Sequence, residues 1–309
     1  MSELDPHAAP GDTTSAGTPG RFFTRRKFLT CAALATGGLA FYSGEIARHQ
    51  LDVVRLTIHL PGLADSFHGM TIAQLSDIHY DNFTEPFFVD RAVRRINALH
   101  PDLVLLTGDF VSKGPQMVSL TESHAQLCAA ALSHIACPHR YAIMGNHDYA
   151  VGVDLVTDAL QGHDIPVLWD AHTALERGSD RLWLVGLKDI SAPGPPNLAR
   201  AMPPKGTEPT IVMVHEPDYM DDLMASPLGR RADLVLAGHT HGGQICVPVL
   251  GATFRPPLGK NYVSGLFHFP HENKTSLLYV NRGLGTVGLP LRLYCPPEIT
   301  LITLSAQLV

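Results

Sequence analysis

Five short apolar runs in this sequence are each followed at once by residues that can bind a metal ion. Residues 71–75 lead into Ser76-Asp77-Ile78-His79, and residues 103–107 lead into Gly108-Asp109. Residues 141–144 lead into Gly145-Asn146-His147-Asp148, residues 211–214 into His215-Glu216-Pro217, and residues 234–237 into Gly238-His239-Thr240-His241. A single His is ordinarily a surface or core residue, and a single Asp behind a strand is ordinarily a turn or a helix cap. Five such ends in one chain describe a shared site. Carboxylates and an amide mixed with imidazoles suit Mn²⁺, Fe or Zn²⁺ better than Cu⁺. Asp77 and His79 are two apart, as are His239 and His241, so in extended chain each pair would face one centre. Gly108, Gly145 and Gly238 would let the backbone turn sharply beside the ligands.

The elements that must carry these residues read as α/β. Runs rich in β-branched residues at 53–60, 71–75, 103–107, 141–144, 182–187, 211–214, 234–237 and 277–280 are short and bounded by Gly, Asp or Pro, as buried strands are. Val89, Val93, Ile96 and Leu99 recur at helical spacing behind Thr84, a candidate N-cap, and Pro86 in the first turn. Residues 123–133 and 154–160 predict two more helices. Strands alternating with helices give sheets that are at least partly parallel, and open α/β sheets bind ligands at the carboxyl ends of their strands. The Pro-rich stretches at 193–196 and 203–204 read as surface loops, no internal repeat is present, and one domain is expected over 46–309.

Residues 1–45 read as an address. Residues 1–20 are mostly Pro, Gly, Ser, Thr and Ala without apolar period, a disordered composition. Arg25-Arg26-Lys27-Phe28-Leu29 then precedes an uncharged apolar run over residues 30–42, and the paired arginines resemble a twin-arginine export signal. The expected partner is that export machinery. The expected location is extracytoplasmic, in the periplasm or on the outer face of the cytoplasmic membrane, with the segment either removed or kept as an anchor. No apolar stretch reaches the ~20 residues of a membrane span, which excludes a polytopic membrane protein. Net charge is −6, and residues 1–45 are balanced, so the body is acidic and unsuited to broad nucleic-acid binding. Cys128, Cys137, Cys246 and Cys295 hold no C-x-x-C, which excludes a zinc ribbon. Up to two disulfides are open to them, with buried free thiols the expected state.

In order, D-x-H, G-D, G-N-H-D, a His behind a strand and G-H-x-H resemble the calcineurin-like metallophosphoesterases, over Asp77 to His241. Asn281-Arg282-Gly283-Leu284-Gly285 with Cys295-Pro296-Pro297-Glu298-Ile299 resembles a subgroup of exported or membrane-associated bacterial phosphoesterases. The resemblance implies a four-layer sandwich of two mixed sheets flanked by helices, with a dinuclear metal site at one strand edge. It implies Asp77, His79 and His241 on one ion, Asn146, His215 and His239 on the other, and Asp109 bridging. His147 would be a general acid near the leaving oxygen, oriented by Asp148. Two such ions, about 3.5–4 Å apart, share a hydroxide that attacks phosphorus in line with the leaving group.

Departures from neighbouring families narrow the substrate. Ser112 stands where the purple acid phosphatases carry an iron-binding Tyr, and Ser112-Lys113-Gly114 replaces the Asp-Arg-Gly of protein phosphatases. A phosphodiester or phosphoanhydride is therefore expected, in an envelope lipid, a cell-wall polymer or a nucleotide-linked glycolipid, with possible association to a membrane surface. A phosphomonoesterase and a non-catalytic metal or phosphate-binding module on the same scaffold are the alternatives. Gly283 to Gly288 matches G-x-G-x-x-G but leaves no room for a βαβ unit, so it reads as a loop. His271-Glu272 lacks the second His of a zinc protease, H-x-H-x-D-H is missing, and no G-x-S-x-G supports a serine hydrolase. Lys260-Asn261-Tyr262 reads as a solvated loop rather than a substrate contact. Residues 193–205 and 255–262 are expected to wall the pocket.

Overall fold

Chain contacts divide the protein after Ala40. The computed structural model describes residues 24–113, 118–272 and 274–307, so the disorder expected for 1–20 lies outside the described residues. Helix α1 (Arg25–Phe41) has no buried residue, and no helix among the described residues is long and apolar enough to cross a membrane.

From Phe41 onward the chain builds the body. Strand β1 (Asp52–His59) is followed by β2 (Thr71–Leu75), α2 (Pro86–Leu99), β3 (Leu103–Thr107), α3 (Val118–Ser133), β4 (Arg140–Ile143) and α4 (Asn146–Gln161). A second series runs β5 (Ala171–Arg177), β6 (Asp180–Gly186), α5 (Leu198–Ala201), β7 (Thr210–Met213), α6 (Met220–Ala225) and β8 (Leu234–Ala237). The small hairpin of β9 (Cys246–Val247) and β10 (Gly251–Ala252) leads to β11 (Gly265–His271), β12 (Lys274–Val280) and β13 (Glu298–Ser305).

One sheet has the order β1-β13-β2-β3-β4 and the other β11-β12-β8-β7-β6-β5. Both are mixed: β13 is parallel to β1 and antiparallel to β2, while β11–β12 and β6–β5 are the antiparallel pairs of the second sheet. Side-chain alternation sorts the apolar residues into three cores. Ile72, Leu103, Leu105 and Ile143 meet Leu184, Ile211, Met213 and Leu236 between the sheets. Ala73, Leu75, Val104 and Leu106 pack outward on Val89, Ile96, Ala129 and Leu160 of α2, α3 and α4. Val212, Val235 and Leu278 pack outward on Met220 and Leu223 of α6. The result is the expected four-layer α/β sandwich. One buried polar link crosses its middle, where Gln74 Nε2 donates to Thr107 Oγ1 at 3.1 Å and to the Ala237 carbonyl at 3.0 Å.

Local readings needed correction in several places. The N-cap of α2 is Glu85, not Thr84, with Pro86 at the first helical position. The helix expected at 154–160 is the part of α4 beyond a kink at Gly152 (φ 124°), and a preceding turn starts at Asn146, where the Asp148 carboxylate accepts the Gly145 backbone N–H at 3.0 Å. Strands β5, β11 and β13 carry no run that the sequence reading singled out. Residues 283–288 are a loop, as expected. All cysteines are free thiols, with Cys128, Cys137 and Cys295 buried and Cys246 partly so.

Candidate metal centre

Every residue that the strand ends offered comes to one edge of the two sheets. Asp77, His79 and His241 form one group whose donor atoms all lie within 4.8 Å of one another, and Asp109, His215 and His239 form another. In the first, His79 Nε2 and His241 Nε2 are 3.0 Å apart, and His241 Nε2 lies 3.4 Å from Asp77 Oδ1. In the second, His215 Nε2 is 3.2 Å from Asp109 Oδ2, and His239 Nδ1 is 2.9 Å from Asn146 Oδ1. Asp109 Oδ2 is also 3.4 Å from His79 Nε2, so this one carboxylate touches both groups. Donors about 2.0–2.2 Å from a shared cation stand about 3 Å from each other, and these separations fit that arrangement.

Three of the four imidazoles carry the protonation of ligands, while at His215 burial is outweighed by the Asp109 carboxylate beside it, which raises its pKa well above the ordinary value. Burial holds the pKa of His79 well below the ordinary value, brings that of His241 down to about 4 and lowers that of His239, so their lone pairs are free at neutral pH. His215 Nδ1 donates to the Thr107 carbonyl at 2.8 Å, and its buried Nε2 is left without a hydrogen-bond partner. His239 Nε2 donates to the Pro257 carbonyl at 2.8 Å, which turns Nδ1 towards Asn146. A carbonyl that fixes the tautomer of a histidine is the usual support of a metal ligand. Burial would raise the Asp109 carboxyl, but His215 and His79 beside it hold it well below the usual range. The residues fit divalent cations.

The backbone reaches this geometry by strain, not by strand alternation. Asp77, His79, Asp109, His239 and His241 have φ of 49°, 48°, 55°, 71° and 51°, a left-handed conformation that costs a non-glycine residue roughly 1–2 kcal/mol. The extended chain expected at each i, i+2 pair is therefore absent, and of the two pairs only Asp77 and His79 face one centre. His239 and His241 diverge, one to each group. Of the three glycines, only Gly108 has positive φ (94°). All three serve close approach instead: a Cβ at Gly238 would overlap Ser76 Oγ and Asp77 Oδ2, one at Gly145 would overlap Asp109 Oδ1, and one at Gly108 would lie 2.7 Å from His215 Nδ1.

Asp148 does not orient His147. Its buried carboxylate accepts the backbone N–H groups of Asp109 (2.9 Å), Phe110 (2.8 Å), Val111 (3.3 Å) and Gly145 (3.0 Å), so it clamps the loop that carries Asp109. Burial, and then the charge of Asp109, raise its pKa against the pull of those donors. His147 Nδ1 instead accepts the Lys113 backbone N–H at 2.8 Å, which leaves the ring proton on Nε2. Its ring sits edge-on to His79, 4.6 Å between centroids.

Residues beyond the five strand ends complete the support. Leu284 and Gly285 donate backbone N–H groups to the carbonyls of Ser76 and Asp77. The buried Arg292 guanidinium donates to the carbonyls of Arg282, Gly283, Gly285 and Cys295 and approaches His241 Nδ1 at 3.4 Å. Arg282 pairs with Glu298, and Asn281 donates to Thr300, so the two C-terminal motifs hold each other. Spacing could not signal Arg292, whose partners are backbone carbonyls of its own β12–β13 connection.

A cavity of about 510 Å³ opens from Asp109, Asn146, His147, His239 and His241. Its walls are mostly apolar, from Ile245, Phe254, Pro256, Pro257, Val287 and Leu289. Residues 193–205 take no part in the lining, whereas the G-x-G-x-x-G loop does. The backbone N–H groups of Lys260 and Asn261 turn to Asp218, and these two residues lie outside the lining.

Residues 70–243 match the family model described as calcineurin-like phosphoesterase. The chain is 31% identical over 296 residues to phosphodiesterase YaeI of Escherichia coli (strain K12), covering 91% of this chain and 99% of that protein. It is 29% identical over 293 residues to the uncharacterized metallophosphoesterase YkuE of Bacillus subtilis (strain 168), covering 92% and 98%. It is 28% identical over 323 residues to UDP-2,3-diacylglucosamine pyrophosphatase LpxG of Chlamydia trachomatis, covering 84% and 91%.

Proposed function

This chain belongs to the calcineurin-like phosphoesterase family and is a metal-dependent phosphoric ester hydrolase, and from that premise we propose that it cleaves a phosphodiester or phosphoanhydride in an amphiphilic molecule of the cell envelope. The observation that carries this reading is the joining of two donor groups through Asp109 on the floor of an apolar cavity. Relatives named as a phosphodiesterase and a pyrophosphatase of a lipid-linked nucleotide support the same reading.

Asp77, His79 and His241 would hold one divalent ion and Asn146, His215 and His239 the other, with Asp109 between them; Mn²⁺, Fe and Zn²⁺ all suit these donors. Two cations there would neutralise the phosphoryl oxygens and acidify a water at the phosphorus. His147 gives its Nε2 proton to the departing oxygen, which matters most when the leaving alcohol is a poor one. Asp148 acts through the loop it clamps: it keeps the Asp109 carboxylate in place and does not touch the reacting atoms. The carbonyls of Thr107 and Pro257 hold His215 and His239 in their ligand tautomers. The apolar walls exclude water and seat the non-reacting part of the substrate. Arg25-Arg26 and the apolar run behind them support export through the twin-arginine machinery to an extracytoplasmic location.

The test compares bis-p-nitrophenyl phosphate with p-nitrophenyl phosphate, with and without Mn²⁺, for the full chain and Asp109→Asn. Diester turnover that requires Mn²⁺ and falls by about 10²-fold or more in the variant is the expected result. Preference for the monoester points to a phosphomonoesterase. A metal-loaded chain that turns over neither ester is a binding module.

A further inference from the structure

Around the mouth of the cavity the body turns apolar side chains into water. The β9–β10 hairpin reverses through residues 248–250, and at its tip Val249 and Leu250 are 105% and 78% exposed. Val249 has φ 72°, which a β-branched residue adopts only against steric resistance, so the tip is a strained turn whose apolar side chains pack on nothing. Phe254 and Leu289, both 62% exposed, continue from the tip into the cavity wall. An exposed apolar patch that runs into a ligand cavity marks a surface for another apolar phase.

Charge indicates which phase. Residues 243–262 and 283–294, which form the hairpin and both walls of the mouth, contain no Asp or Glu in a chain that has 29 acids and 23 bases. The first segment instead holds the exposed cations Arg255 and Lys260, with Asp218 and Asp221 packed against its far end at residues 260–262. The first residues of the body, 42–46, lie in the same place. The Arg292 backbone N–H donates to the Ser43 carbonyl at 3.0 Å, and Leu291 lies against Gly44. Tyr42 and Ile46 in this stretch are exposed, as is Glu45 between them.

We propose that this apolar rim docks on an anionic lipid bilayer, with the Val249–Leu250 tip among the acyl chains and the cavity mouth against the lipid. Apolar insertion beside basic side chains is how peripheral proteins hold such surfaces. The inference rests on the phosphoesterase reading for its substrate class: a phosphoester that carries an apolar chain, drawn from the membrane into the cavity without crossing water.

The tip itself supplies the readout. Full-length chain carrying Leu250→Trp is mixed with vesicles of equal parts phosphatidylglycerol and phosphatidylcholine with brominated acyl chains. The introduced tryptophan is expected to be quenched, while Trp169 and Trp183 of the unsubstituted chain are not. In a second arm, Val249→Ser with Leu250→Ser lowers turnover of a phosphodiester lipid carried in those vesicles by about tenfold and leaves bis-p-nitrophenyl phosphate turnover unchanged. An unquenched tip overturns the docking surface, as does an equal loss on both substrates. Equal quenching on pure phosphatidylcholine overturns its anionic character. A quenched tip in a metal-loaded chain that hydrolyses neither substrate upholds the surface and overturns the phosphoesterase reading instead.

Discussion

The proton on His147 Nε2 is set by a main-chain group, the Lys113 N–H on Nδ1. His147→Ala should therefore lose about 10²–10⁴-fold in kcat on an alkyl phosphodiester and much less on a p-nitrophenyl ester, whose phenolate leaves without a proton. A series of diesters with graded leaving groups measures this, and equal losses across the series would remove the acid role. The residue types at the site were legible because a metal needs Asp, His and Asn whatever the fold around them. Their support was not legible. Arg292, the Thr107 and Pro257 carbonyls and the left-handed φ of five candidate ligands depend on which loops meet, and no spacing in one segment encodes that. Asp148 shows the limit most clearly: the family resemblance implied that it orients His147, while its carboxylate faces the backbone of residues 109–111.

At the scale of elements, the glycines behind the strands keep two loops in contact. Gly238→Ala would drive a Cβ into Ser76 Oγ and Asp77 Oδ2, so it should destabilise the fold by about 1–3 kcal/mol and cut metal content measured by elemental analysis. Normal metal content in that variant would mean that the β2 and β8 loops are not packed as described. A second element contact titrates. Glu85 at the start of α2 pairs with Arg48 at 2.6 Å and His49 at 3.1 Å. Burial would raise its pKa, but the His49 hydrogen bond and the Arg48 charge bring it below the ordinary 4.5. A depressed carboxyl stabilises the fold above its unfolded pKa and loses that contribution as pH falls through the folded one. Glu85→Gln should thus cost about 0.5–1 kcal/mol near neutrality, and denaturant melts of the two proteins should converge below pH 4.5. Strands with continuous apolar runs were readable, and β5 and β11 were not, because as sheet edges they are half-exposed and β11 contains Pro270, which an edge tolerates. Strand β13 escaped for a different reason: Glu298 and Thr300 look like surface residues and are buried in their own hydrogen-bond network.

For the molecule as a whole, the two sheets and the loops at their edge are one thermodynamic unit with the ions they would bind. Removing metal with a chelator leaves buried carboxylates and imidazoles facing each other without a partner. Tm should then fall by roughly 5–10 °C and recover on adding Mn²⁺, as calorimetry can record. An unchanged Tm in protein shown to lose its metal would mean that the cluster is preorganised without it. The sheet order has a consequence of its own. Strand β13 lies between β1 and β2, so the first sheet has a gap in its middle until the final strand arrives. The loop that supports Asp77 from behind, residues 283–285, also comes from this late stretch. On the ribosome, the early half of the protein can form helices and the β2–β3–β4 pairings, but it cannot close its sheet or seat its first ligand. Catalytic competence therefore arises in one late step after synthesis, and a nascent chain caught before that step exposes two open strand edges, the moment of greatest risk from aggregation and greatest need of a chaperone.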